Sequence, residues 1–489
     1  MTTLSRRSLI KTSALLTAAT LLVPDRVTAQ VTGRVTRGGK GKRPNILFIL
    51  VDDMGYADLS CYGRTDYQTP AIDGLARQGL RFTQAYANSA VCSATRTALI
   101  TGRYQTRLPV GLEEPLGARD LGLPPEHPTL PSLLRKQGYS TTLVGKWHLG
   151  SLPKYGPQQS GYDHFWGIRG GGVDYFTHKI RGQLDLWDDG NKVEQEGHLT
   201  DLLADRALRV IDEQAKSNRP FFLSLHFNAP HWPWEGPNDQ AEAQRLDARK
   251  DPFAIAHFDG GSMKTYAEMV THLDRRIGSI LARLDELGLT DDTIVVFTSD
   301  NGGERFSNTW PLTGRKTELL EGGLRVPAIV RWPGHAPAGS TSDQPIMSMD
   351  WLPTLLAAAG GAPDPAYPSD GIDLTPFVAN PALQQERTLC WRYKNLDQQA
   401  CRKGQWKYLK ILENSFLFNL AEDPTERGNL KDRFPEKFAE LKAAYDAWNA
   451  TMLPLDPASF SHGFTGAELA DHYGAKLQSS VGNAPARTH

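Results

Sequence analysis

Cysteine is scarce: the chain holds four, at positions 61, 92, 390 and 401, among 489 residues. So few cannot form the disulfide framework that staples small secreted domains, and stability has to come from an apolar core. Hydrophobic residues at 40% supply one, and the length suggests two or three domains. An excess of charge is also lacking, with 54 basic residues against 55 acidic and a formal net charge of -1. That balance excludes a domain-wide basic field for nucleic acid or an anionic bilayer. Internal repeats and low-complexity tracts are absent, and beyond the N-terminus no apolar run is long enough to suggest a membrane span. A folded enzyme or binding protein remains.

The first thirty residues stand apart. Ser5, Arg6, Arg7, Ser8, Leu9, Ile10 and Lys11 precede an apolar run from Ala14 to Val23, and Val27, Thr28 and Ala29 follow. Paired arginines, apolar run and small residues come in the order of a twin-arginine export signal. Cleavage is expected after Ala29, with residues 30–43 a flexible linker. The twin-arginine export machinery is the implied partner, and the product is expected in the periplasm or secreted, in a bacterium-like host.

From Pro44 onward strand-like and helix-like pieces alternate. Asn45 to Val51 is an almost continuous apolar run, as a buried parallel strand requires. Further strands are expected at Ser140 to Val144, Pro220 to Phe227 and Thr293 to Thr298. Helices are expected from about Thr69 to Gln78, from near Cys92 to Gly102, and near 129–137, 200–217 and 264–287. This alternation predicts an α/β sandwich around a mainly parallel sheet. Proline and glycine cluster from Gly360 to Pro376, so a catalytic domain is expected over 44–375 and a smaller α+β domain over 376–489. In the latter, Arg387 to Leu420 reads as short antiparallel strands and Pro435 to Met452 as an amphipathic helix. Cys390 and Cys401 flank an expected hairpin, which raises the hypothesis of a cross-strand disulfide.

Cys92, Ser93, Ala94, Thr95 and Arg96, with Thr101, Gly102 and Arg103 downstream, form the most informative stretch. A helix starting after Val91 would offer backbone N–H donors to an oxyanion, and Arg96 would share a face with Cys92. A lone cysteine there would otherwise be a buried structural residue. The stretch resembles the sulfatase motif C-x-[PA]-x-R followed by Thr-Gly-Arg. The resemblance implies that a formylglycine-generating or related sulfatase-maturating enzyme oxidises Cys92 to formylglycine. In the family's mechanism one oxygen of the aldehyde hydrate attacks sulfur to give a covalent sulfo-enzyme, and loss of the second hydroxyl proton expels sulfate. Ala94 stands where proline is commoner.

Asp52 and Asp53 end the first strand, and Asp300 and Asn301 end another, at the carboxyl edge where open parallel sheets place their sites. Either pair alone would suit a turn or a helix cap. Together they make a hard, all-oxygen set for calcium or magnesium. The resemblance implies calcium in preference to magnesium, with residue 92 as a further ligand. It also assigns Lys146 and His148, within Gly145 to Gly150, to sulfate binding and to removal of the hydrate proton. It matches His231, within Asn228 to Pro233, and Lys316, ahead of Glu321 to Pro327, to sulfate contact, and one or both would protonate the leaving oxygen. Gly404, Gln405, Trp406 and Lys407 resemble a strand of the family's C-terminal domain. The implied fold is an alkaline-phosphatase-like α/β domain with a small C-terminal antiparallel sheet and helix.

The substrate expected is a small-molecule or glycan sulfate ester. A phosphate or phosphonate monoester hydrolase is the alternative enzyme, and a sulfated-glycan binding protein without catalysis is the alternative outside enzymes. The intact set Cys92, Arg96, Lys146, His148, His231 and Lys316 speaks against the latter. Arg169, His178, Trp232, Trp234, His257 and Trp310 are candidates for contact with the leaving group, although scattered tryptophan is often packing.

Overall fold

The computed structural model describes residues 43–112, 114, 120–249, 251–472 and 474–475. The export signal and its cleavage point lie outside the described residues. In chain order the main strands are β1 (Asn45–Val51), β2 (Leu80–Tyr86), β3 (Ser140–Gly145), β4 (His164–Gly167), β5 (Phe221–His226), β6 (Thr293–Ser299) and β7 (Arg325–Arg331). They lie side by side in the order β2-β7-β6-β1-β5-β3-β4, with short strands at both edges. The stretch β6-β1-β5-β3-β4 is parallel throughout, whereas β7 runs antiparallel to both β6 and β2.

Every residue of β1, β3, β5 and β6 is buried, because helices cover both faces of the sheet. One face packs against α1 (Pro70–Gln78), α4 (Leu199–Gln214) and α5 (Met263–Glu286), and contributes Leu47, Ile49, Leu203 and Ile277 to one core. The other carries α2 (Cys92–Thr101), α3 (Leu130–Lys136) and α6 (Trp351–Ala358), with Phe48, Leu99, Leu134 and Leu355 in a second core. The expected sandwich is therefore present, with the expected strands and helices ending within a few residues of their expected limits.

A separate antiparallel sheet follows, made of β8 (Thr388–Tyr393), β9 (Gln398–Lys403), β10 (Trp406–Ile411) and β11 (Asn414–Asn419), with α7 (Pro435–Asn449) alongside. It shares an apolar cluster with the start of α2, in which Val91, Ala94 and Ala98 meet Leu389, Trp391 and Leu409. Lys407, fully buried on β10, sits 3.0 Å from Glu321 and 2.9 Å from Glu426. The small sheet thus helps to fix the helix that begins at Cys92.

Cys390 and Cys401 are directly paired across β8 and β9, with buried free thiols whose sulfur atoms are 2.8 Å apart. In an oxidising compartment they are expected to join. A tryptic map should then show a linked peptide pair that separates on reduction, and two peptides already separate before reduction would contradict this. Among the described residues no helix is long and apolar enough to cross a membrane.

Candidate functional site

The parallel register builds the site. Val51 of β1 pairs with Ser299 of β6, so the next residues, Asp52 and Asp300, leave the sheet at the same level. On the other side Gly145 of β3 pairs with His226 of β5, which brings Lys146 to the same edge. Gly145 has φ +115°, and a Cβ there would lie 1.8 Å from the His226 carbonyl oxygen, so the turn into Lys146 requires glycine. His148 follows in the left-handed region at φ 56°, and Asp53 at φ 62°.

Cys92 is the first residue of α2 and is buried. Its Sγ lies 3.4 Å from Nδ1 of His148. Burial pushes the thiol up to about 12, although Lys146 and Lys316 pull the other way. Residue 92 is therefore a neutral thiol at ordinary pH, unlike cysteines that act as nucleophiles in their own right.

Three cations and four carboxylates surround it, all buried. Lys146 Nζ donates to Asp52 Oδ2 at 2.6 Å, and Lys316 Nζ to Asp53 Oδ2 at 2.7 Å. Arg96 Nε donates to Asp300 Oδ2 at 2.9 Å, and its NH1 to the Lys146 carbonyl at 3.0 Å. Asn301 Nδ2 donates to Asp53 Oδ1 at 2.7 Å. The fourth carboxylate, Glu304, lies 3.9 Å from Lys316. Burial and repulsion from Asp300 raise Asp52 well above the usual carboxylate range, while Arg96 and Lys146 outweigh burial and hold Asp300 below it. Lys316 stays charged: burial opposes its charge, but Asp53 and the other anionic groups around it together more than compensate.

His231 donates from Nδ1 to the Trp232 carbonyl at 2.6 Å, so Nε2, 3.7 Å from Asp53 Oδ2, is the nitrogen left for a ligand. Burial and then the neighbouring lysines push both His148 and His231 well below the ordinary imidazole value, so each is neutral at pH 7.

All ten residues expected from the sequence converge on this sheet edge. Ligand atoms of Asp52, Cys92 and Asp300 lie within 4.8 Å of one another, as do those of Asp52, Asp53 and His231. Oδ1 of Asp52 and Oδ1 of Asn301 are buried without a hydrogen-bond partner among the described residues. These atoms and the surrounding carboxylates suit a hard dication.

Several contributors carry no motif. Glu304 is one, and His226, held between Ser224 (2.8 Å) and the Lys146 carbonyl (3.1 Å), is another. The run Gly170 to Gly172 forms a wall against both histidines. A Cβ at Gly171 would lie 2.7 Å from Cε1 and 2.9 Å from Nε2 of His148, and one at Gly172 would lie 3.0 Å from Cε1 of His231. Gly171→Ala is therefore expected to displace the imidazole and lower kcat by about 100-fold, the scale of a 1 Å misplacement. Its thermal midpoint should stay near that of the parent, and an unchanged kcat would show that the wall is dispensable.

The leaving-group candidates separate. His178, Trp234 and His257 are buried: His178 bonds the Gly197 carbonyl, and His257 accepts from the Trp234 backbone N–H. These three serve packing. Trp232, tilted against His231 with ring centroids 4.2 Å apart, Arg169, over Trp187, and the exposed Trp310 remain available.

A conserved-family model described as Sulfatase matches residues 44–362, and the chain belongs to the sulfatase family. It is a sulfuric ester hydrolase of the arylsulfatase-like kind. It is 33% identical to the N-acetylgalactosamine-6-sulfatase of Homo sapiens over 86% of this chain and 88% of that one. It is 31% identical to arylsulfatase A of Homo sapiens over 78% and 77% of the two chains. Among solved structures, Ps i-CgsB in complex with k-i-k-neocarrahexaose matches with TM-score 0.76 at 30% identity, over 88% of this chain and 98% of that one.

Proposed function

We propose that the protein hydrolyses a sulfate ester of a sugar or aryl alcohol through formylglycine made from Cys92, assisted by one calcium ion. The observation that carries this reading is the neutral thiol of Cys92 at a helix N-terminus, 3.4 Å from His148 and enclosed by carboxylates and cations. A thiol could attack sulfur but would leave a thiosulfate ester with no second hydroxyl through which to collapse, whereas the hydrated aldehyde supplies one hydroxyl to attack sulfur and a second whose deprotonation releases sulfate. Asp52, Asp53, Asp300 and Asn301 would hold the cation, which supplies charge that orients sulfate and stabilises the attacking oxygen.

The chain's own groups divide the remaining work. Lys146 and Lys316 bind sulfate oxygens, and their partners Asp52 and Asp53 hold them in place. Arg96 is a positioning residue: it fixes the Asp300 carboxylate and the Lys146 carbonyl. His148, neutral and with Nδ1 facing residue 92, takes the hydrate proton. His231 orients sulfate, and Lys316, alone or with His231, gives the proton to the departing oxygen. We place the enzyme in the periplasm or outside the cell, with Cys92 oxidised before twin-arginine export.

Membership of the sulfatase family favours sulfate over phosphate. Rates on an aryl sulfate and the matching aryl phosphate are expected to favour sulfate, and faster phosphate turnover would make the protein a phosphate monoester hydrolase instead.

A further inference from the structure

Away from the catalytic edge, His198, Asp201 and His272 bring two imidazoles and a carboxylate together, with ligand atoms all within 4.8 Å of one another. His198 immediately precedes α4, Asp201 lies in its first turn, and His272 projects from the middle of α5. Both histidines are more than nine-tenths buried. We propose that these three residues form a second metal site, of the zinc class, that is separate from the hard-cation set at the strand ends.

The hydrogen-bond pattern distinguishes this cluster from a satisfied pair of core histidines. His198 donates from Nε2 to the Glu235 carbonyl at 3.2 Å, which leaves the lone pair on Nδ1. Nδ1 is buried and has no hydrogen-bond partner among the described residues. A carbonyl holding the outer N–H is the arrangement that orients a metal-binding imidazole. Nε2 of His272 lies 3.0 Å from Asp201 Oδ1, an ion-pair contact that already brings the second imidazole against the carboxylate. His198 Nδ1 is thus the ring nitrogen of the cluster left without a partner among the described residues.

Two imidazole nitrogens and one carboxylate oxygen suit zinc, which accepts nitrogen and oxygen ligands in a tetrahedron, and suit calcium poorly. The surrounding charges are mixed. Arg276 lies 3.2 Å from Asp201 and also pairs with Asp205, and Arg275 approaches Nδ1 of His272 at 3.4 Å. Arg276 can keep Asp205 when Asp201 turns to a metal. The consequence reaches the catalytic edge. The His198 ring stacks on Tyr175, with centroids 4.9 Å apart, and the Tyr175 hydroxyl donates to the His231 carbonyl at 2.9 Å. An ion here would tie α4 to α5 and stiffen the support behind His231.

The test uses the full-length mature enzyme dialysed against zinc and then against metal-free buffer, with zinc and calcium counted by elemental analysis. One retained zinc per chain is expected, with an X-ray absorption edge showing two imidazole ligands. His198→Gln and Asp201→Asn should each lose zinc affinity by about 100-fold while calcium content is unchanged. No retained zinc, or zinc retained equally by His198→Gln, would overturn the proposal, the latter by locating the ion elsewhere. If the variants do not fold, the absorption spectrum of the parent decides, and an oxygen-only or single-imidazole shell overturns it.

Discussion

Cys92→Ala is expected to remove sulfate-ester turnover to background, a loss on the order of 10⁶-fold, as when a covalent nucleophile is deleted. The reason is chemical and not structural. The side chain is small and buried at the first turn of α2, so its truncation costs the fold only about 1 kcal/mol by the scale of small core deletions. Nearby groups cannot substitute for it. His148 and His231 are held neutral, and the surrounding carboxylates are occupied by Lys146, Lys316 and Arg96. Cys92→Ser should be as inactive where the maturing enzyme does not act on serine, because a serine ester of sulfate has no second hydroxyl through which to collapse. Steady-state rates together with thermal melts check both variants. An alanine variant that turns over at a measurable fraction of the parent rate would move the nucleophile elsewhere.

Lys316→Ala is the second large effect, and it should depend on the leaving group. Lys316 is charged, buried and paired at 2.7 Å with Asp53, on the same carboxylate that His231 approaches at 3.7 Å. A proton donor matters most when the departing oxygen is strongly basic. On a sugar sulfate, whose alkoxide leaves poorly, loss of the donor is expected to lower kcat by about 10²–10⁴-fold, the usual range for general acid catalysis. On an activated aryl sulfate, whose phenoxide needs little help, kcat should fall much less, while KM rises from loss of a sulfate contact. Equal losses on the two substrates would confine Lys316 to binding. A loss confined to KM would do the same.

Most of the site could be read from the sequence because its parts sit where buried strands stop. Ile46 to Val51 is a continuous apolar run and Thr293 to Ser299 is built around Ile294 to Phe297, and a polar pair directly after each strand marks the sheet edge without any knowledge of register. Cys92 and Arg96 are four residues apart on one helix, so local geometry sufficed. The strand Arg325–Arg331 was not foreseen as a strand. Pro327 cannot donate to a ladder, and the pairing with β2 does shift register between Val326 and Ala328, so the break is real although the strand continues through it.

Gly171, Glu304 and His226 were invisible for a different reason. Gly171 matters only because His148 arrives from another loop and leaves no room for a Cβ. Glu304 and His226 act through partners distant in sequence, Lys316 and Arg96, and no spacing announces such contacts. Trp234 and His257 erred in the opposite direction. Their residue types suit a sugar site, but burial and a mutual hydrogen bond commit them to packing.

The central claim is that residue 92 works as an aldehyde and not as a thiol. The most direct test is the mass of the peptide containing Cys92, taken from active enzyme made in its own host. Active preparations should carry formylglycine or its hydrate at this position, with specific activity proportional to the converted fraction. Fully active enzyme whose Cys92 is an unmodified thiol in every molecule would contradict the account.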